Sequence, residues 1–171
     1  ILGIGSLLSG DDGVGPHFVR RLLWRYAFPP SVLVEDIGTP GPGLLYAMED
    51  LDLVVFVDAL RAGRPGCLHR MGADAFEAHS GIRLGPHDAG LRDAVALSAL
   101  AEGGPTEVVL WGVVTERVSP GTQLSPVVEA AMPTLEAAVL GELRRWRLPA
   151  PHLSVHYRRF QKSPKLVPLP R

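Results

Sequence analysis

The sequence predicts a single α/β domain, a three-layer sandwich in which a mostly parallel, twisted sheet of about five strands lies between helices on both faces. Apolar, β-branched runs alternate along the chain with segments of helical periodicity. Of the 171 residues, 46% are apolar, which is enough for one buried core. The apolar run at 51–59, LDLVVFVDA, is typical of a strand at the centre of a parallel sheet.

The remaining elements follow from their local patterns. Further strands are predicted at 1–5, 31–36, 67–71 and 106–114, the third of them a short edge strand. Helices are predicted from 12 to the proline pair at 29–30, from 88 to 101 and from 126 to 145, with a short helix ending near 48. Ser125 stands at the N-cap position of the last helix with a proline directly after it, and both residues are typical of a helix start.

The end of the chain differs in composition from the rest. Residues 144–171 contain eight basic residues and no acidic ones, whereas the preceding part has nine basic and eighteen acidic residues. Five prolines in this stretch disfavour a regular helix or a central strand. We therefore predict a domain at 1–145 followed by a basic, proline-rich, extended arm at 146–171. A solvated tail and a docking arm for an acidic partner both fit this composition.

Charge and cysteine content limit the classes of function. The acidic body and the lack of a recognised motif disfavour nucleic-acid binding. No run of eighteen apolar residues and no signal-peptide pattern occurs, so we expect no membrane insertion. The single cysteine, Cys67, excludes an internal disulfide framework. Together these features predict a cytoplasmic location.

The stretch GIGSLLSGDDGVG at 3–15 combines glycines with two adjacent aspartates. A dinucleotide-binding fingerprint would need glycine where the chain has Leu8, and Asp11 and Asp12 would repel a pyrophosphate. One aspartate could instead cap the following helix. Because one carboxylate is enough for capping, the other remains available for chemistry.

Further polar residues follow the predicted strands. Asp36 ends the second strand, Asp58 ends the third, and His87 precedes a helix in GPHDAGL. Because parallel strands end at one edge of the sheet, we expect these side chains and Asp12 to meet there, open to solvent. Asp58 could alternatively order the next loop, and His87 could be structural.

The GTPGPG loop at 38–43 borders the same edge. Its glycines would allow close approach of a peptide backbone, with Gly38 and Thr39 as the contacting positions. The loop could equally be a tight turn between a strand and a helix.

In order along the chain, these motifs resemble those of the nickel hydrogenase maturation proteases, which trim the C-terminal extension of a hydrogenase large subunit after nickel insertion. The resemblance covers about residues 1–143 and is carried by GIGSLLSGDDGVG, DIGTPG, VFVDAL, PHDAGLRDAVAL, and LWGVV followed by LSPVVEAAMPTLEAAV. Ser6 departs from the family pattern, in which asparagine is usual at this position.

The resemblance implies a metal-binding set of Asp12, Asp58 and His87, with Asp36 as a supporting carboxylate. It implies that nickel arrives bound to cysteines of the hydrogenase large-subunit precursor and that the free enzyme holds metal weakly. We expect Asp12 or Asp58 to act as the catalytic base, and Asp36, Gly38 and Thr39 to contact the substrate. A non-catalytic metal- or nucleotide-binding assembly factor of the same architecture is the alternative.

Serine and cysteine peptidase chemistry is disfavoured by the sequence. No G-x-S-x-G nucleophile elbow occurs. Cys67 has only His69 nearby as a base, and the two side chains share a direction only if the segment is a strand. Carboxylate-based hydrolysis, of the aspartyl-protease or metal-assisted type, is therefore expected.

Overall fold

The computed structural model describes residues 1–61, 63–74 and 88–162. In these ranges the strands of one five-stranded sheet follow the order β3-β1-β4-β6-β5. They are β1 (Leu2–Ile4), β3 (Glu35–Gly38), β4 (Leu53–Leu60), β5 (Leu68–Gly72) and β6 (Glu107–Val114). All neighbours are parallel except β5, an edge strand that runs antiparallel to β6. The mostly parallel sheet and the edge strand are therefore as predicted.

Helices cover both faces of this sheet, which confirms the predicted three-layer architecture. Within the described residues, the α-helices are α1 (Val14–Arg25), α2 (Asp88–Ser98), α3 (Pro126–Arg145) and α4 (Val155–Lys162). One apolar core joins α1 and α3 to one face of the sheet. The other joins α2 and the short turns at 42–48 to the opposite face.

Several predicted elements have different bounds in the structure, among them the first helix and the second strand. A 3-10 turn at Gly10–Gly13 precedes α1, and the helix ends at Arg25 because the next two residues form β2 (Tyr26–Ala27). β2 pairs with β7 (His152–Leu153) in a separate antiparallel ribbon. β3 begins at Glu35 and not at residue 31, because its neighbour β1 is only three residues long.

The extended arm predicted for 146–171 is wrong for residues 152–162, which form β7 and α4. The prolines flank this stretch and do not interrupt it, since none lies between Pro151 and Pro164. Ser154 caps α4, because its hydroxyl accepts the Tyr157 amide at 3.0 Å. The ring of Tyr157 meets Trp24 of α1 edge-on, with centroids 4.9 Å apart. Residues 163–171 lie outside the described residues, and the domain boundary at 145 stays a prediction.

The start of α1 lies directly against two strands. A Cβ added at Gly15 would overlap the backbone of Ile4 and lie 2.5 Å from the carbonyl oxygen of Val57. A Cβ added at Gly3 would lie 2.5 Å from the carbonyl oxygen of Gly15. These two glycines therefore allow backbone-to-backbone packing of α1 on β1 and β4.

A buried carboxylate fastens α3 to the other edge of the sheet. Glu142 is 5% exposed, and its Oε1 accepts Arg70 Nε of β5 at 2.6 Å and Trp111 Nε1 of β6 at 3.3 Å. Burial alone would raise the pKa of Glu142, but the hydrogen bond and charge of Arg70 more than offset it and hold the pKa below its usual value.

Replacing Gly15 by alanine tests the packing of α1. We expect Gly15→Ala to lower the free energy of unfolding by about 3 kcal/mol or more, because the added methyl meets rigid backbone atoms. Gly72→Ala is the matched control, since a Cβ there meets nothing within 4 Å. Urea denaturation followed by circular dichroism measures both. Equal stabilities for the two variants would contradict the close packing.

The depressed pKa of Glu142 predicts a pH-dependent contribution to stability. In the unfolded chain a glutamate has a pKa of about 4.3, and in the native state the pKa of Glu142 is lower. The contribution of Glu142 to the free energy of unfolding is therefore complete above about pH 4.3, and it is lost as the pH falls through the native pKa. We expect Glu142→Gln to cost about 2 kcal/mol at pH 7, with the difference from wild type narrowing below pH 4. Urea denaturation at several pH values measures it, and a constant difference would contradict this assignment.

Candidate active site

The crevice between the carboxyl ends of β1 and β4 is the place where the strand order reverses. The chain leaves β1 towards β3 on one side, and it leaves β4 towards β6 on the other. Ligands of open α/β sheets bind at such a switch point. Asp12 follows β1 and Asp58 lies in β4, so the sheet topology brings the two predicted carboxylates to this crevice.

Asp12 is held by the turn at Gly10–Gly13, which folds back over the end of β1. Gly5 has a φ of +129°, and a Cβ there would overlap the carbonyl oxygen of Asp12. The Asp12 Oδ2 accepts the backbone amide of Ser6 at 3.1 Å. The donor in this contact is the backbone of Ser6, so the contact does not depend on the side chain at this position.

Asp58 lies two residues before the end of β4 and opposite Gly112 of β6. Its Oδ1 accepts the amide of Ala59 at 2.7 Å. Side chains alternate along a strand, so Asp58 shares the face of Val54 and Phe56, which pack in the core with α2. The predicted ligand His87 directly precedes α2 in the sequence, but it lies outside the described residues.

The expectation that these carboxylates are open to solvent is wrong. Asp58 is 0% exposed and Asp12 is 2% exposed. Asp58 does not end its strand, because β4 continues to Leu60 beside β6, and its side chain is on the face of the sheet that packs in the core with α2. Asp12 is covered because its own turn closes over the strand end.

Asp36, the predicted supporting carboxylate, lies in the edge strand β3, separated from β4 by β1. It pairs with Gly3, which faces α1, so its side chain is on the face of the sheet opposite to Asp58. Its Oδ1 accepts the amide of Gly38 at 3.0 Å. Asp36 thus orders the turn after β3, and its part in substrate binding stays a prediction.

The predicted peptide-contacting residues begin the loop after β3. Gly38 has a φ of +60°, and its carbonyl oxygen accepts the amide of Gly5 at 2.8 Å, which ties the loop to the end of β1. Thr39 is exposed. A Cβ added at Gly38 meets nothing within 4 Å. The reason for glycine at this position is therefore the positive φ and not a lack of space for a side chain. Contact with substrate is not tested for either residue.

Asp11 has a role that the sequence does not reveal. It is fully buried, and its Oδ1 accepts the Ser125 amide at 2.6 Å. Its Oδ2 accepts the amides of Glu116 and Arg117 at 2.9 and 3.0 Å and the Ser125 hydroxyl at 2.8 Å. Burial alone would raise the pKa of Asp11, but these four donors more than offset burial and lower it.

These contacts also decide how the neighbouring helices begin. The N-cap of α1 is Gly13, without a side-chain cap, so neither Asp11 nor Asp12 caps this helix. Ser125 and Pro126 begin α3 as predicted, but the Ser125 hydroxyl bonds to Asp11 and not to its own helix. In the sequence, the pair of adjacent aspartates was the one feature that pointed to two carboxylates with different uses.

Of the three predicted metal ligands, the described residues include Asp12 and Asp58. In residues 1–61, 63–74 and 88–162, no group of three or more His, Cys, Asp or Glu side chains could hold a metal ion. Because His87 is not among these residues, the set of Asp12, Asp58 and His87 stays a prediction. Two carboxylates at one crevice nevertheless fit the oxygen ligands that a divalent cation takes.

Comparison with known proteins identifies the family. The sequence profile described as hydrogenase maturation protease matches residues 16–142. The chain belongs to the hydrogenase maturation protease family. It is 30% identical over 159 residues to the hydrogenase 2 maturation protease of Escherichia coli (strain K12), with 91% of this chain and 97% of that protein covered. It is 35% identical over 143 residues to the hydrogenase expression/formation protein HoxM of Azotobacter vinelandii, with 81% and 69% covered.

Solved structures of the family share the fold. The hydrogenase maturating endopeptidase HybD from E. coli superposes with a TM-score of 0.78 at 29% identity, over 88% of this chain and 95% of that one. The [NiFe] hydrogenase maturation protease HybD from Thermococcus kodakarensis gives a TM-score of 0.65 at 26% identity, over 81% and 94%.

Membership in this family confirms the expected peptidase and does not favour the non-catalytic assembly factor. The matched range includes Asp36 and Asp58, whereas Asp12 precedes it. Among the described residues, no helix has both the length and the apolar character needed to cross a membrane.

Proposed function

We propose that this chain is an endopeptidase that removes the C-terminal extension of a nickel-containing hydrogenase large-subunit precursor after nickel insertion. The nickel belongs to the substrate. The observation that carries the proposal is the placement of Asp12 in the turn after β1 and of Asp58 in β4, the two strands that flank the switch-point crevice, in a chain of the hydrogenase maturation protease family.

Burial of the two carboxylates supports a role for the metal in substrate recognition. Asp12 and Asp58 are each at most 2% exposed, and the attraction between a carboxylate and a cation grows where water is excluded. A precursor that carries a divalent ion gains this attraction on binding, and a precursor without metal does not. Cleavage is thereby limited to loaded substrate.

Hydrolysis of the peptide bond requires an activated water and a group that moves its proton. Asp12, Asp58 and His87 would hold the metal of the substrate, and either Asp12 or Asp58 would also act as the base. Each carboxylate keeps one oxygen oriented by a backbone amide, Ser6 for Asp12 and Ala59 for Asp58. Such fixed hydrogen bonds reduce the reorganisation needed when substrate binds.

The loop after β3 supports a path for the extended peptide. Asp36 is exposed beside the ordered Gly38 turn, and Thr39 is exposed directly after it. We assign Asp36, Gly38 and Thr39 to contacts with the substrate backbone near the scissile bond. The expected place of action is the cytoplasm, in keeping with the single cysteine of the chain.

Cleavage of a purified precursor tests this function. Wild-type protein incubated with a nickel-loaded hydrogenase large-subunit precursor should remove a short C-terminal peptide, seen as a decrease in intact mass. Asp58→Asn should slow cleavage by at least about 100-fold, because the neutral amide neither attracts the metal nor accepts a proton. Precursor without nickel should stay uncut.

Asp52→Asn is the matched control, because this exposed aspartate precedes the opposite end of β4 and lies about 20 Å from Asp58 along the strand. It should cleave at the wild-type rate. An unchanged precursor mass with folded wild-type protein and loaded substrate would overturn the proposed function. Normal cleavage by Asp58→Asn would show that the site lies elsewhere.

A further inference from the structure

Asp11 connects the turn that carries Asp12 to the loop that follows β6. Its carboxylate accepts four hydrogen bonds of 2.6–3.0 Å from this loop, two from Ser125 and one each from the amides of Glu116 and Arg117. Backbone bonds reinforce the connection: the Gly10 amide donates to Gly121 at 2.9 Å, and the Gly121 amide donates to Leu8 at 3.0 Å.

We propose that Asp11 is a positioning residue for the peptidase site, whose buried carboxylate locks the turn at Gly10–Gly13 onto the loop at 115–125 and so fixes the orientation of Asp12. The effect on cleavage rests on the function proposed above. The effect on the geometry of Asp12 does not depend on it.

The turn needs such an anchor because glycines flank the two aspartates. Gly10 has a φ of +60° and Gly13 precedes α1 without a capping side chain. Glycine imposes little backbone preference of its own, so these positions would permit several orientations of the residues between them. Asp11 ties this turn to residues more than 100 positions away in the sequence, in the loop at 115–125.

The chemistry of the anchor requires a carboxylate. Both oxygens of Asp11 accept backbone amides, from Ser125 on one oxygen and from Glu116 and Arg117 on the other. An asparagine in this position would point its own N–H groups at one of these amides, whichever way the side-chain amide is turned. A donor facing a donor in a buried position opens the connection between the turn and the loop.

The same contacts fix the backbone of the loop at 115–125. The amides of Glu116 and Arg117 point inward to Asp11, whereas their side chains are exposed. The loop therefore presents side chains to solvent from a backbone that is fixed against the Asp12 turn. Asp11 thereby positions this loop and one catalytic carboxylate together.

Amide hydrogen exchange tests the positioning directly. The Ser6 amide, which donates to Asp12 Oδ2, should exchange at least about 10-fold faster in Asp11→Asn than in wild type, relative to the core amides of β4. Steady-state cleavage of nickel-loaded precursor should show kcat lower by about 100-fold with KM within about twofold, because a misplaced group costs rate more than binding.

Two variants separate positioning from general stability. Glu142→Gln also neutralises a buried carboxylate, but Glu142 lies about 25 Å along α3 from Ser125. This variant should therefore leave kcat unchanged, and it should also leave the exchange rate of the Ser6 amide relative to the core amides unchanged. Ser125→Ala removes one of the four bonds and keeps the three backbone donors, so it should have a smaller effect than Asp11→Asn.

The proposal is overturned if the Ser6 amide in folded Asp11→Asn keeps its wild-type exchange, or if Glu142→Gln accelerates it equally. If wild-type protein fails to cut loaded precursor, the proposed function is lost, and the exchange experiment still decides whether Asp11 holds Asp12. Faster Ser6 exchange with an unchanged kcat would overturn the catalytic part of the proposal.

Discussion

The structure depends on the close contact between the start of α1 and the backbones of β1 and β4. Gly15 lies against Ile4 and Val57, and any side chain there would push the helix away. Val57 precedes Asp58, and Gly15 follows Asp12 by three residues, so this one contact sets the separation of the two carboxylates. The position of the candidate site is thus a consequence of how closely a helix approaches a sheet.

Buried carboxylates have two different uses in this molecule. Asp11, Glu136 and Glu142 join distant elements: Glu136 of α3 binds Arg21 and Arg25 of α1 at 2.8 and 2.7 Å and the Tyr26 hydroxyl at 2.6 Å. Burial, followed by this contact with Glu136, raises the pKa of Tyr26 to about 12. Asp12 and Asp58 instead lie at the crevice, where we expect the charge of a substrate-bound metal to interact with them. The anchoring carboxylates fix the elements around Asp12 and Asp58, for which we propose a role in catalysis.

Local patterns predicted most of the fold, and long-range contacts account for what they missed. The apolar run of β4 and the proline and serine at the start of α3 are signals within a few residues, and the structure confirms both elements. The donors to Asp11 come from residues more than 100 positions away, so no motif could assign its role. Asp58 is on the face of the sheet that packs in the core with α2, and the helix α4 docks against α1 through Tyr157 and Trp24. The position of His87 before a helix marked it as a candidate, but its role as a ligand and the nickel came only from the family resemblance.

The central proposal is that Asp12 in the turn after β1, Asp58 of β4 and His87, which precedes α2 in the sequence, share one divalent cation. A crystal soaked in cadmium, with anomalous diffraction collected, tests it most directly. We predict one anomalous peak within bonding distance of carboxylate oxygens of both Asp12 and Asp58 and of the imidazole of His87. Carboxylates that point into separate environments, with cadmium bound only elsewhere on the surface, would contradict the account.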